Sequence, residues 1–194
     1  VVEKNGKRFY KFPSVEDYYP SVTTVTGIRS RESIAKWRAR VGEEEANRIS
    51  ARASRRGSQF HAIIEDHMKG TLNEQTYSKD PLALNMFKMA RKTLGRVDNI
   101  HALETPLYSH LFGLAGRVDC IAEFDKELAV IDFKTSTKEK RESYIENYFV
   151  QETAYAAMFY ERTGIKVKKI VTLIATEEGS IQVFQKYNLD DYLQ

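Results

Sequence analysis

The sequence predicts a mixed fold of the α/β or α+β class, with helices flanking a central mixed β-sheet. Three observations predict it. Up to about residue 95 the chain carries helical periodicity with only short extended pieces. From residue 101 the pattern changes to runs rich in β-branched residues and short alternations. Between the third and fourth of those runs stands one long helical stretch, the length of a crossover connection.

The elements follow in order. Residues 8–12 alternate loosely and predict a short strand. Tyr19-Pro20-Ser21 punctuates the chain. Residues 22–25 are β-branched and read as a short strand or an extended entry into a helix. Ser30 or Ser33 can cap a helix whose apolar positions include Ile34, Trp37 and Val41. Gly42 interrupts it, and a second helical stretch runs over residues 43–56. Gly57-Ser58 reads as a fresh start with Ser58 as N-cap. The helix after it carries Phe60, Ile63, Ile64 and His67, with His61, Glu65 and Met68 on a neighbouring face. It closes at Gly70, a residue suited to the left-handed position past a helix end. Residues 82–94 form a further amphipathic helix, stopped by Gly95. Strands are predicted at residues 101–108, 116–124, 128–134, 169–175 and 181–187, with a helix over 148–162 ended by Gly164. No internal repeat or low-complexity segment is present.

A chain of 194 residues with 42% hydrophobic residues can bury a sizeable core. We read residues 1–194 as one domain, with a helical elaboration over about 28–60 and a sheet core over about 100–187. The net charge of +3 implies no partner. Its distribution says more. Residues 29–56 hold nine basic residues against four acidic ones, which suits either contact with a polyanion or a solvated face of mixed charge. The single cysteine, Cys120, excludes an internal disulfide framework and a cysteine-rich zinc site, and points to a reducing compartment. No apolar run approaches the roughly 20 residues of a membrane span, and no secretory or transit segment opens the chain. A cytoplasmic setting is expected, with a processed mitochondrial matrix protein as the alternative. The chain starts at Val1 rather than Met and stops at Gln194 after a strand-like stretch, so further sequence at either end is expected.

The most informative stretch runs from Gly116 to Thr135. Side chains alternate faces along a strand, so Asp132 and Lys134 share one face while Ile131 and Phe133 point into apolar packing. With Asp125-Lys126 as a two-residue turn, residues whose numbers total 251 pair across the hairpin. Asp119 is then expected to face Asp132 directly, on the side of Lys134. Two carboxylates so opposed repel each other and raise each other's pKa. A hard divalent cation, Mg²⁺ or Mn²⁺, would neutralise them, with Lys134 acting on an attacking water or on a charged phosphorus centre. Cross-strand salt bridges in a surface Asp–Lys–Asp cluster are the other reading of the same spacing.

Gly116-Arg117-Val118-Asp119, followed by Val130-Ile131-Asp132-Phe133-Lys134-Thr135, resembles the Asp…(Asp/Glu)-x-Lys signature of the PD-(D/E)XK nuclease superfamily. The RecB-like exonuclease subgroup adds a histidine shortly after a glycine, matched by Gly57-Ser58-Gln59-Phe60-His61. It also adds Gln-x-x-x-Tyr on the helix after the lysine strand, matched by Gln151-Glu152-Thr153-Ala154-Tyr155. Val118 stands where the family name has proline. Ser21-Val22-Thr23, Trp37 and Gly113-Leu114 extend the likeness to a mitochondrial and phage branch, so that it covers about residues 20–187.

The resemblance implies a restriction-endonuclease-like core and a DNA exonuclease preferring free single-stranded ends, with Mg²⁺ or Mn²⁺ as cofactor; a structure- or sequence-specific DNA endonuclease and a DNA-binding module without catalysis are the alternatives on the same core. A replication or recombination protein would be a possible partner. His61, Asp119 and Asp132 are implied as metal ligands through their side chains and Phe133 through its backbone carbonyl. Lys134 is implied to act on the water, and Gln151 and Tyr155, four apart on one helix face, to orient Lys134, the water or the scissile phosphate. Thr135 and Ser136 are implied to contact phosphate. Arg52, Arg55 and Arg56 are expected to do so as well, and Trp37 to stack on a base or pack in a core. Glu104 is expected near the site, as a hydrogen-bond partner or in catalysis. His67, His101 and His110 read as structural.

Overall fold

The computed structural model describes residues 1–4, 6–12 and 18–192, the side chain of Arg29 excepted. Three short strands, β1 (Val2–Lys4), β2 (Lys7–Tyr10) and β3 (Tyr19–Pro20), form a small antiparallel sheet. Four helices follow: α1 (Val22–Thr26), α2 (Arg31–Val41), α3 (Glu43–Met68) and α4 (Pro81–Leu94). The main sheet is built from β4 (Val97–Ser109), β5 (Leu114–Phe124), β6 (Glu127–Ser136), β7 (Lys169–Thr176) and β8 (Ile181–Lys186), in that spatial order. Helix α5 (Glu146–Thr163) crosses over between β6 and β7, which are therefore parallel; every other pair is antiparallel. The expected mixed sheet with flanking helices is the observed fold.

Both faces of the sheet are covered. Phe60, Ile63 and Ile64 of α3 and Met86, Phe87 and Leu94 of α4 pack on Cys120, Phe124, Ile131, Phe133 and Leu173. On the other face, Phe149, Tyr155, Met158 and Phe159 of α5 pack on Ile121, Val130, Ile170 and Ile174. Strand β7 is buried at every position, as expected of a strand covered on both sides.

β1 and β3 are strands that the sequence reading did not include, and two further elements differ from it. Residues 22–25 are helical, because Ser21 caps α1: its hydroxyl accepts from the Thr24 amide at 3.0 Å. Gly57-Ser58 starts no new helix; α3 runs unbroken from Glu43 to Met68. A mid-helix glycine costs about 1 kcal/mol against alanine, and buried anchors on either side offset it. Arg56 is buried against β6 and the β7–β8 turn, and Phe60, one turn on, is in the core. The close of α3 is as expected, with Gly70 at φ +71°.

The β5–β6 turn sets the register of the site. Asp125 and Lys126 both take left-handed backbone (φ 54° and 67°), the requirement of a type I′ turn. Pairing runs from Phe124↔Glu127 to Cys120↔Ile131, the predicted register.

Candidate active site

The predicted register ends one step before the acids. Past Cys120↔Ile131 the two strands part, and no Asp119–Asp132 pair forms. Instead Asp119 turns into the gap, where its Oδ2 accepts the backbone N–H of Phe133 at 2.9 Å. Alternation along β5 is also interrupted here, because Val118 and Ile121, three residues apart, both pack on the α5 side. The expectation that Asp119 faces Asp132 directly is therefore corrected. Opening the strands frees one carboxylate to meet α3 while the other stays under α5.

On the α3 side, His61 Nδ1 lies 3.5 Å from Glu104 Oε1 and 3.6 Å from Asp119 Oδ1. One ligand atom from each of these three residues lies within 4.8 Å of the others, a spacing that can hold a cation. Glu104 reaches the cluster from inside β4 with φ at +46°, an uncommon conformation for a residue with a β-carbon. Its other oxygen lies 3.8 Å from Arg117. Burial opposes protonation of His61, but the Asp119 charge and the Glu104 hydrogen bond outweigh it and carry the imidazole to about 9.

On the α5 side, Asp132 is buried and ion-paired with Lys134. Gln151 Nε2 donates to Asp132 Oδ1 at 3.4 Å. Burial pushes the Asp132 carboxyl up to about 6 even though Lys134 pulls it down. Burial works against the Lys134 charge, yet Asp132 and Asp119 hold its ammonium protonated, above the usual lysine range. Tyr155 is buried and its hydroxyl is raised by burial and by the two aspartates.

One cleft of about 460 Å³ joins the two sides; His61, Glu104, Asp119, Lys134, Gln151 and Tyr155 all line it. The Phe133 ring is buried in the α3–α4 core, edge-on to His61 at 6.5 Å between centroids. Thr135 Oγ1 accepts from Arg56 Nε at 3.1 Å, and Ser136 is buried at the end of β6. Arg52 and Arg56 both hold Glu177, and Arg55 holds Asp80. Trp37 is half-buried on α2, a helix with no buried residue among those described.

Two site residues escaped the sequence reading. Tyr148 lies under Lys134, with Nζ 5.1 Å from its ring centroid. Its spacing of three and seven residues before Gln151 and Tyr155 marks the same helix face. Glu152 is fully buried beside the aspartates; Thr172 Oγ1 donates to it, and burial holds its carboxyl well above the usual range. Its signal is an acid set within the apolar stripe of Phe149, Ala156 and Phe159.

A divergent hairpin with two acids and a lysine, followed by a crossover helix presenting glutamine and tyrosine, is the arrangement of a nuclease-type core. A model of the PD-(D/E)XK nuclease superfamily matches residues 31–186, and the chain belongs to that superfamily. It is similar to mitochondrial genome maintenance exonuclease 1. The human protein is 25% identical over 88% of this chain and 53% of its own length. The mouse protein is 26% identical over 67% and 40%, and that of Xenopus tropicalis 27% over 64% and 36%. The chain thus spans about half the length, or less, of the curated relatives it matches. Among the described residues, no helix is long and apolar enough to cross a membrane.

Proposed function

We propose that this chain is a divalent-metal-dependent DNA exonuclease that hydrolyses phosphodiester bonds from free single-stranded ends. The observation that carries the reading is the meeting of His61, Glu104 and Asp119 with Lys134 in one cleft, Lys134 being held from behind by the buried Asp132. Nitrogen and carboxylate oxygens at this spacing fit Mn²⁺, and the oxygens fit Mg²⁺. His61, Asp119, Asp132 and the Phe133 carbonyl are the proposed ligands, with Glu104 added by its place in the cluster. A bound cation supplies Lewis acidity and lowers the pKa of a coordinated water.

The protein's own groups do the rest. Lys134, held by Asp132, keeps a fixed positive charge at the cleft, where negative charge develops on the phosphorus oxygens. Gln151 fixes the Asp132 carboxylate, and Tyr155 closes the far wall. Water adds to phosphorus in line and gives up a proton, the bond to the 3′-oxygen breaks, that oxygen takes up a proton to become a hydroxyl, and the other fragment carries a 5′-phosphate. Thr135 and Ser136 end the lysine strand. Arg52 and Arg55, both largely exposed, can exchange a carboxylate for a phosphate, while Arg56 braces α3 against that strand. The reading places the chain in DNA replication, recombination or repair, in the cytoplasm or, as the relatives' name favours, the mitochondrial matrix.

The test compares end-labelled linear single strands, linear duplex and circular single strands with Mg²⁺ or Mn²⁺. Degradation of linear strands only, lost in Lys134→Ala, is the expected result. Cutting of circles would make the protein an endonuclease, and full activity in Lys134→Ala would move the chemistry elsewhere.

A further inference from the structure

The basic residues of α2 and α3 are mostly engaged. Lys36 pairs with Glu32 at 2.6 Å, Arg38 with Glu43, Arg48 with Glu45 at 2.7 Å, Arg52 and Arg56 with Glu177, and Arg55 with Asp80. A cation that already holds a carboxylate gains less from a phosphate.

Other exposed cations hold no carboxylate among the described residues, Arg31 and Arg40 of α2 among them. Lys7 and Arg8 on β2 and Arg31 at the start of α2 are exposed, and no ion pair to any of them is present among the described residues. Arg40 is also exposed without one but lines neither cleft described here. Arg8 and Thr23 line the catalytic cleft, and the same two residues line an adjoining cleft of about 320 Å³ with Lys7 and Arg31. The two clefts therefore meet at Arg8 and Thr23. Thr23 is exposed, and its hydroxyl stands 2.9 Å from that of Ser21, at the start of α1. The adjoining cleft contains one carboxylate, Glu3, which sits directly across the β1–β2 ladder from Arg8.

We propose that Arg8, Thr23, Lys7 and Arg31 form a phosphate track that carries the backbone of the nucleic-acid strand between the catalytic cleft and the outer surface. The proposal rests on the nuclease reading above. It assigns strand binding to the small N-terminal sheet and the α1–α2 corner. Contact there is with sugar-phosphate, by charge and hydroxyl groups, and carries no base sequence preference. Glu3 tempers the track by partly neutralising Arg8.

The test measures binding of a fluorescein-labelled oligothymidylate by anisotropy across a salt series, in a Lys134→Ala background that leaves the strand intact. Arg8→Ala with Arg31→Ala is expected to weaken binding and to reduce the slope of log affinity against log salt by about 1.4, two phosphate contacts at roughly 0.7 each. Glu3→Gln is expected to tighten binding, and Arg48→Ala, whose arginine holds Glu45, to change the slope by less than half as much as the double variant. Arg8→Gln with Arg31→Gln serves as a second pair, and melting temperature and Mn²⁺ affinity are read for each to show an intact fold and cleft. An unchanged slope in both intact pairs, with the background protein still binding, overturns the track and leaves the nuclease reading standing. If the unaltered protein neither binds nor cleaves DNA, the track and the nuclease reading both fall.

Discussion

Tyr155 lies so close over Gly116 that a β-carbon on the glycine would stand 2.6 Å from the tyrosine ring and 2.7 Å from its hydroxyl oxygen. Only a residue without a side chain lets α5 bring Tyr155 to the cleft wall at this point of β5. Gly116→Ala is expected to push Tyr155 out of place. Overpacking of this kind costs about 1–3 kcal/mol, and misplacement by about 1 Å can lower turnover on the order of 100-fold. A melting curve and single-turnover cleavage rates check both. Full activity in the alanine variant would mean that Tyr155 takes no part in the reaction.

Lys134→Ala leaves Asp132 buried without its partner. Removing one member of a buried pair costs about 3–5 kcal/mol, and the partial exposure of Lys134 favours the low end. Burial already raises Asp132 to about 6 with the lysine present, so its pKa is higher still without it. The stability deficit of Lys134→Ala is therefore expected to shrink as pH falls and Asp132 takes up a proton. Urea titrations of both proteins between neutral and acidic pH measure this. A deficit independent of pH would show that the buried charge is not its cause.

His61 gives the metal-free protein a pH dependence of the same sign at higher pH. Its folded pKa of about 9 lies above the ordinary histidine value of 6.5. The folded state thus binds more protons in that interval, and the stabilisation is complete below 6.5 and lost as pH rises through about 9. Thermal unfolding in EDTA should show the decline, and His61→Ala should remove it. A bound cation must displace that proton, so Mn²⁺ affinity is expected to rise over the same interval. Titration calorimetry at several pH values would detect a flat affinity, which would remove His61 from the ligand set.

Burial and the Asp132 charge hold the Glu152 carboxyl well above the usual range and favour its uncharged form, outweighing the pull of Thr172 and Lys134. Glutamine keeps its shape and its acceptor for the Thr172 hydroxyl. Glu152→Gln should therefore melt within a few degrees of the unaltered protein. Glu152→Ala leaves a void and an unsatisfied hydroxyl, at a cost of about 1–3 kcal/mol. Equal melting temperatures for the alanine and unaltered proteins would contradict this account of the buried acid.

The five strands of the main sheet, the long crossover helix, the Asp125-Lys126 turn and the pairing register next to it were legible in the sequence, because each depends on local periodicity or on two turn residues. The residues later found in one cleft were also legible, since their spacing along strand and helix is local. The continuity of α3 through Gly57 was not. It depends on Arg56 meeting Glu177, a residue 121 positions away, and on Phe60 reaching the core. Nor was the division of the two aspartates between α3 and α5, which follows from β5 and β6 parting one pair early so that Asp119 satisfies the Phe133 amide. Glu104 joined the cluster through a single left-handed backbone angle in β4. Such features arise where distant segments compete for the same space and the same hydrogen bonds. A one-dimensional pattern records which residues are available for that competition, and packing settles which of them meet.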